Sequence, residues 1–262
     1  MNRPRILLAA AVALAVALTG CTATDGGDEK PPVEIPDTLG GTIIVFAAAS
    51  LTEVFGELKT AFEEKHPNAN VVLSFGGSGA LATQIIEGAA ADVFAAASGA
   101  SMITVLDAGD AEGAGIFTTN TLEIAVPPGN PAGITGLADL ANPDLTIVLC
   151  DPSVPCGASA ETLVHQAGYQ PAPDSLEEDV KAVLTKIELG EADAGLVYVT
   201  DVVAAGDKVE GIEVPGAADV VNEYPIAVID GARNPDGAQA WVEFVFSAEG
   251  QAALAAAGFV AP

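Results

Sequence analysis

From residue 41 onward the chain alternates between two kinds of apolar pattern. Short β-rich runs occur at Thr42–Phe46, Val71–Phe75, Val93–Ala95, Leu122–Val126, Thr146–Leu149, Ala194–Val199 and Ile226–Ile229. Their length and composition predict strands. Between them Leu51, Val54, Phe55, Leu58 and Phe62 recur at i, i+3, i+4, i+7 and i+11, which is one face of a helix. Leu81, Ile85 and Ile86 mark a second helix ended by Gly88, and Leu163 lies on a third closed by Gly168. Val180, Val183, Leu184 and Ile187 mark a fourth closed by Gly190, and residues 236–258 read as a helical tail with Trp241, Phe244 and Val245 on one face. Strand–helix alternation at this spacing predicts an α/β protein with doubly wound, mainly parallel sheets.

In such sheets the working crevice lies beyond the carboxyl ends of the strands, so the strand-to-helix junctions are where chemistry is sought. Four share one character. Ser50-x-x-Glu53 and Ser175-x-x-Glu178 have the form of capping boxes, Gly76–Gly79 is a glycine-rich turn around Ser78, and Val154–Ala158 leads into the helix carrying Glu161 to Gln166. Each offers unpaired N–H groups at the positive end of a helix dipole, with small residues that admit an object close to the backbone. These are the parts of an anion site.

The amino-terminal end has a different pattern. Arg3 and Arg5 precede the unbroken apolar run Ile6–Leu18, 13 residues long, short of the roughly 20 a spanning helix needs. It reads as the core of an export signal covering residues 1–20. Leu18-Thr19-Gly20-Cys21 is similar to a bacterial lipobox, which implies cleavage before Cys21 and lipidation of its sulfur. An ordinary signal peptide with an incidental cysteine is the alternative. Residues 22–40 are rich in Pro, Gly and acids without an apolar period and read as a tether. The protein is thus expected to be exported and lipid-anchored to the outer face of the cell membrane. In that oxidising setting a Cys150–Cys156 disulfide is favoured over two buried thiols.

Composition narrows the partners. Half the residues are hydrophobic and 17% are charged, so the chain can build a substantial core. The formal net charge is −27, from 9 Lys+Arg against 36 Asp+Glu, which excludes nucleic acid, since phosphate binding rests on displaced counterions. Gly77-x-Gly79-x-x-Ala82 meets a loose dinucleotide fingerprint, but Asp92 comes too early to be its ribose partner. A hydrolase using Ser78 would need His66 or His165 as its base, and Gly76–Ala80 misses the nucleophile-elbow pattern. The acidic runs Glu63-Glu64 and Glu177–Asp179 read as solvated faces or helix starts rather than metal ligands.

The chain from about 41 to 262 resembles the molybdate-binding proteins of bacterial ABC importers. The resemblance is carried, in order, by VFAAASL at 45–51, SFGGSGALATQI at 74–85, GAAADVFAAAS at 88–98 and DPSVPCG at 151–157. It continues with EEDVKAVL at 177–184, GLVYVTD at 195–201, EYPIAVI at 223–229 and GFV at 258–260. It implies a two-lobe periplasmic binding protein fold with hinge strands, lobe one at 41–121 plus 224–262 and lobe two at 122–223. It implies no enzyme activity and no cofactor. The ligand would be molybdate, and tungstate beside it, held as an oxyanion by hydroxyl and N–H donors without lysine or arginine. Carried over, the donors fall on Ser50, Ser78, Cys156, Val180 and Tyr198, with no direct metal ligands. Partners would be the oxyanion and an importer permease, and the protein would be a monomer. A receptor for sulfate or another tetrahedral oxyanion on the same fold is the alternative reading.

Two departures accompany the resemblance: Cys156 stands where a small apolar residue is common, and Gly-Gly-Ser-Gly carries few flanking hydroxyls. A pocket without acceptors would reject a protonated oxyanion such as hydrogenphosphate. Lys59 and Lys181 are expected several residues into their helices, and the acids are expected away from the cleft. Without the leader, seven Lys+Arg face 36 Asp+Glu, a charge near −29. Association with an anionic ligand should therefore accelerate as inert salt screens the field; stopped-flow rates that fall with added salt would contradict this.

Overall fold

The computed structural model describes residues 39–262; the export leader, Cys21 and most of the tether lie outside them. In chain order the elements are β1 Gly40–Ala48, α1 Thr52–Lys65, β2 Asn68–Gly76, α2 Ser78–Ile86, β3 Val93–Ala95, α3 Gly99–Ala108, β4 Gly115–Asn120, β5 Leu122–Val126 and β6 Ile147–Cys150. They continue with α4 Pro155–Gln166, β7 Ser175–Glu177, α5 Val180–Glu188, β8 Ala194–Tyr198, α6 Val199–Ala205, β9 Glu210–Ile212, β10 Asn222–Val228, α7 Pro235–Phe246 and α8 Ala248–Ala256. All seven predicted strands are present, β3 and β5 with the predicted bounds. Gly40, placed at the end of the tether by sequence, already pairs with Asn68 in β1.

The strands form two five-stranded sheets, in the orders β2-β1-β3-β10-β4 and β7-β6-β8-β5-β9. Both are mixed. In each, three strands pair in parallel, one reversed strand, β10 or β5, pairs antiparallel beside them, and an edge strand, β4 or β9, pairs antiparallel with the reversed one. The doubly wound order survives while the parallel share is smaller than strand–helix alternation suggests, because β10 and β5 reach their sheets by crossing between lobes. One crossing is Thr121, between β4 and β5; the other is the segment from 213 to 221.

Alternation along β1 explains the first lobe. Ile43, Val45 and Ala47 face one apolar cluster with residues of α1, α7 and α8, while Phe46 faces a second with α2 and α3. A strand covered on both faces needs this double apolar pattern. In the first cluster Phe62 and Phe55 meet Trp241 edge-on at 5.4 and 5.7 Å, and Phe244 closes on Phe62 at 5.5 Å. The second lobe has one cluster, drawn from residues between Leu122 and Ala217.

The helical tail is two helices rather than one. Ser247 ends α7 and caps α8, its Oγ accepting from Gly250 N, and the chain bends so closely that a Cβ on Gly250 would lie 2.4 Å from Phe244 O. Among the described residues no helix is long and apolar enough to cross a membrane. Replacing Phe62, fully buried at the centre of the ring cluster, should cost about 3–5 kcal/mol as Phe62→Ala; urea unfolding checks it, and a cost below about 1 kcal/mol would place the lobe's support elsewhere.

Candidate functional site

Six parallel strands end at one place. Ser50 follows β1, Ser78 follows β2, Ala97 follows β3, Cys156 follows β6, Val180 follows β7, and Tyr198 ends β8. These residues border one cavity between the sheets, with about 20 Å³ open to the centre of a water molecule. Treated as a sphere and widened by water's radius of about 1.4 Å, the walls stand roughly 3 Å from the centre. That is room for one small tetrahedral anion and far too little for a dinucleotide, which removes the fingerprint reading of Gly77–Ala82.

The five sequence-named residues Ser50, Ser78, Cys156, Val180 and Tyr198 all border this cavity. Each of the two sheets contributes. Two of the local readings behind them need correction, because neither predicted capping box forms. Ser50 lies in a 3-10 turn, Ala49–Leu51, ahead of α1, buried, with Oγ 2.9 Å from the Tyr224 hydroxyl. Ser175 belongs to β7, and the helix that follows is capped by Asp179, whose Oδ1 accepts from Ala182 N.

The hydroxyls are held from behind. Ser78 Oγ accepts from Ala97 N at 3.0 Å, and Tyr198 Oη accepts from Asn222 Nδ2 at 2.9 Å. A hydroxyl that is already accepting keeps its proton for an acceptor in the cavity. Ser50 acquires the same polarity when the Tyr224 hydroxyl donates to it. Burial pushes both phenols well above the ordinary tyrosine value, so both stay protonated donors. The remaining donors are backbone. Pro155 occupies the first position of α4 and has no N–H, so Cys156 carries that helix's leading amide, as Val180 does for α5.

Sequence reading missed the supports: Tyr224, Asn222 and Ala97. The quoted stretches EYPIAVI and GAAADVFAAAS contain Tyr224 and Ala97, but nothing local marks them, since their partners lie 174 and 19 residues away. Asn222 also bonds Ala97 O at 3.1 Å, and Asn120 Nδ2 donates to Thr200 Oγ1 at 2.8 Å beside the β4–β5 crossing.

Close approach decides two glycines. A Cβ on Gly157 would lie 1.9 Å from Asp151 O, so the first turn of α4 packs onto the loop that the Cys150–Cys156 disulfide closes. A Cβ on Gly77 would lie 2.5 Å from Glu178 O across the cleft. The glycine-rich turn with few flanking hydroxyls is therefore what lets the halves meet.

No lysine or arginine is among the described residues bordering the cavity. Lys181 comes nearer than sequence suggests, as the second residue of α5, but its ammonium turns to Asp201 and Glu53, 2.8 Å from each. Lys59 pairs instead with Glu63 on α1. The acids are not all remote: Glu53 faces Lys181 at the cleft, Asp201 is fully buried beside it, and Asp179 borders the cavity with Oδ1 taken by its cap. The pocket is therefore not free of acceptors. Burial pushes the Asp201 carboxyl up to about 6 against the opposing pull of Lys181. For Lys181, burial favours the neutral amine, yet Asp201 and Glu53 hold it above the ordinary lysine value.

A base for Ser78 is missing from this arrangement. His66 follows the far end of α1, about 20 Å from Ser50 by the rise of its 14 residues, and stacks on Phe62. His165 is exposed at the far end of α4. The acidic runs have structural work: Glu63 accepts from Val71 N, and Glu177 pairs with Lys186.

Two lobes meeting over a small cavity bordered by hydroxyls and helix-start amides have the architecture of a binding protein for a small ligand. The chain belongs to the bacterial extracellular solute-binding protein family, whose sequence profile matches residues 43–260. It is 43% identical over 222 residues to the molybdate-binding protein ModA of Mycobacterium tuberculosis, covering 84% of this chain and 85% of that one. To the molybdate-binding protein ModA of Escherichia coli it is 33% identical over 212 residues, 74% and 79% of the two chains. Among solved structures it superposes on the periplasmic molybdate-binding protein of Azotobacter vinelandii with a TM-score of 0.74 at 21% identity, covering 84% and 99%.

Gly77→Ala tests the close approach. Its methyl group would force the halves apart, so affinity for an anionic ligand should fall at least about tenfold. Unfolding without ligand should change by less than about 1 kcal/mol; calorimetric binding at wild-type affinity would show that the contact does not govern closure.

Proposed function

We propose that this protein captures molybdate, and tungstate with it, outside the cytoplasm and delivers it to the permease of an ABC importer. The observation that carries the reading is the setting of the hydroxyls: Ser78 and Tyr198 each accept a bond from a neighbouring N–H and border a cavity sized for one oxyanion, to which their O–H groups can donate. The names of the 43% and 33% identical relatives support the same ligand.

In this mechanism Ser50 and Ser78 meet the oxyanion from one lobe, and Tyr198 with the amides of Cys156 and Val180 meets it from the other. Each charge-assisted bond contributes roughly 1.5–3 kcal/mol net. Five or more of them, assembled only when the lobes meet, offset the hydration the dianion loses. The molybdenum is never ligated directly, and neither cofactor nor catalytic step enters. Lipidation at Cys21, which lies outside the residues described, and the tether that follows it would keep the monomeric receptor within reach of its permease.

Titration calorimetry with molybdate, tungstate and sulfate tests the reading. Molybdate and tungstate should bind far more tightly than sulfate, and Ser78→Ala and Tyr198→Phe should each weaken molybdate about 10- to 100-fold. Tighter binding of sulfate would replace this reading with a sulfate receptor on the same fold.

A further inference from the structure

Lys181 sits where an anion-binding protein would be expected to use it, yet its charge is directed away from the cavity. Its ammonium lies 2.8 Å from Asp201 Oδ1 in its own lobe and 2.8 Å from Glu53 Oε2 in the opposite lobe. The two partners differ in kind. Asp201 is fully buried and its Oδ2 accepts from Tyr198 N at 3.1 Å, so it is fixed to the strand end that supplies the phenol. Glu53 is about half exposed, and its side chain is 49% accessible against 21% for Lys181.

The positions matter as much as the charges. Glu53 lies three residues beyond Ser50, in the first turn of α1, and Lys181 directly follows Val180. Each end of the bridge is thereby tied to a residue bordering the cavity, and the distance between the ends follows the distance between the lobes. We infer that Asp201, Lys181 and Glu53 form a latch across the cleft, in which Asp201 holds the ammonium in place and Glu53 engages it only when the lobes have closed on their ligand. These are positioning residues that touch no ligand, and their role rests on the oxyanion-capture reading above. The latch opposes opening, so it acts on release. Capture precedes its formation and should be indifferent to it. With two carboxylates around one ammonium the group is net negative, so it adds no attraction for the incoming anion.

The experiment follows release of radiolabelled molybdate from the full-length protein into excess unlabelled molybdate, beside its association rate. Glu53→Gln should release molybdate about fivefold faster, with association changed by less than about twofold, and the ligand-free melting temperature should stay at the wild-type value. Glu53→Asp should recover part of the loss, and added salt should bring wild-type and Glu53→Gln release rates together. In a double-mutant cycle Lys181→Met should speed release in the wild-type background and lose most of that effect in Glu53→Gln. If Lys181→Met does not fold, with Asp201 left buried and unpaired, Glu53→Gln and its salt dependence still decide. Release from Glu53→Gln at the wild-type rate, or equal slowing of association and acceleration of release, would overturn the latch while leaving molybdate capture intact. Failure of the wild type to bind molybdate would overturn the capture reading and the latch with it.

Discussion

The structure turns on a constraint about protons. A cavity that exchanges the water around an anion for neutral dipoles works only if every hydroxyl in its wall presents a hydrogen rather than a lone pair. A serine or tyrosine has no intrinsic preference, so the wall must be polarised from outside. That is the service of Ala97 N toward Ser78 and of Asn222 Nδ2 toward Tyr198, and the Tyr224 hydroxyl stands 2.9 Å from Ser50 Oγ, where it can do the same. The fold makes this possible because the carboxyl ends of parallel strands leave N–H groups and helix starts pointing the same way. The end of β3 shows the economy of the arrangement: Ala97, which follows it, borders the cavity without a polar side chain and uses its N–H to orient Ser78.

Charge enters through the same logic. The chain carries far more carboxylates than cations, and a lysine beside the cavity would have attracted any anion, whatever its shape or protonation. Here the nearest ammonium is held by Asp201 and Glu53. Recognition is left to geometry, because short directional donors distinguish anions by where their oxygens lie. The Asp201 carboxyl, pushed by burial up to about 6, has a folded value above its unfolded one. Its proton is bound more firmly in the folded chain, and the stability this gives is complete below the unfolded value and lost as pH rises through about 6.

Much of the fold was legible in the sequence because its signals are local. Strand bounds at β3 and β5 follow from short apolar runs, and the Leu51–Phe62 period marks the buried face of α1. The donors bordering the cavity were legible too, since all lie at junctions or strand ends where the chain pattern changes, although the resemblance was needed to select among them. What escaped was non-local. α3 offers only Met102 and Val105 as buried residues, too few to announce a helix face. Whether β10 runs parallel or antiparallel depends on which lobe the chain has just left, and no window of β10 records that. The two Ser-x-x-Glu patterns failed for different reasons: Ser50 found a partner 174 residues away, and Ser175 was drawn into β7 beside Val148.

The same distinction explains why the wall can be stiff enough to select by size. A donor cavity confers discrimination between oxyanions only if its radius cannot relax around the smaller one. On the side of the second lobe, the disulfide closes the loop before α4, and Gly157 brings the helix so near Asp151 that no side chain fits between. On the side of the first lobe, the contact of Gly77 with the Glu178 carbonyl sets how far the halves can approach. Backbone touches backbone there, and backbone has no rotamers with which to yield. A smaller anion would therefore leave some donors short of an oxygen rather than drawing the walls inward, and each donor left unmatched loses its bond while still bearing the cost of having left water. Selectivity by radius is in this sense a property of the glycines and the disulfide as much as of the serines and tyrosine that border the cavity.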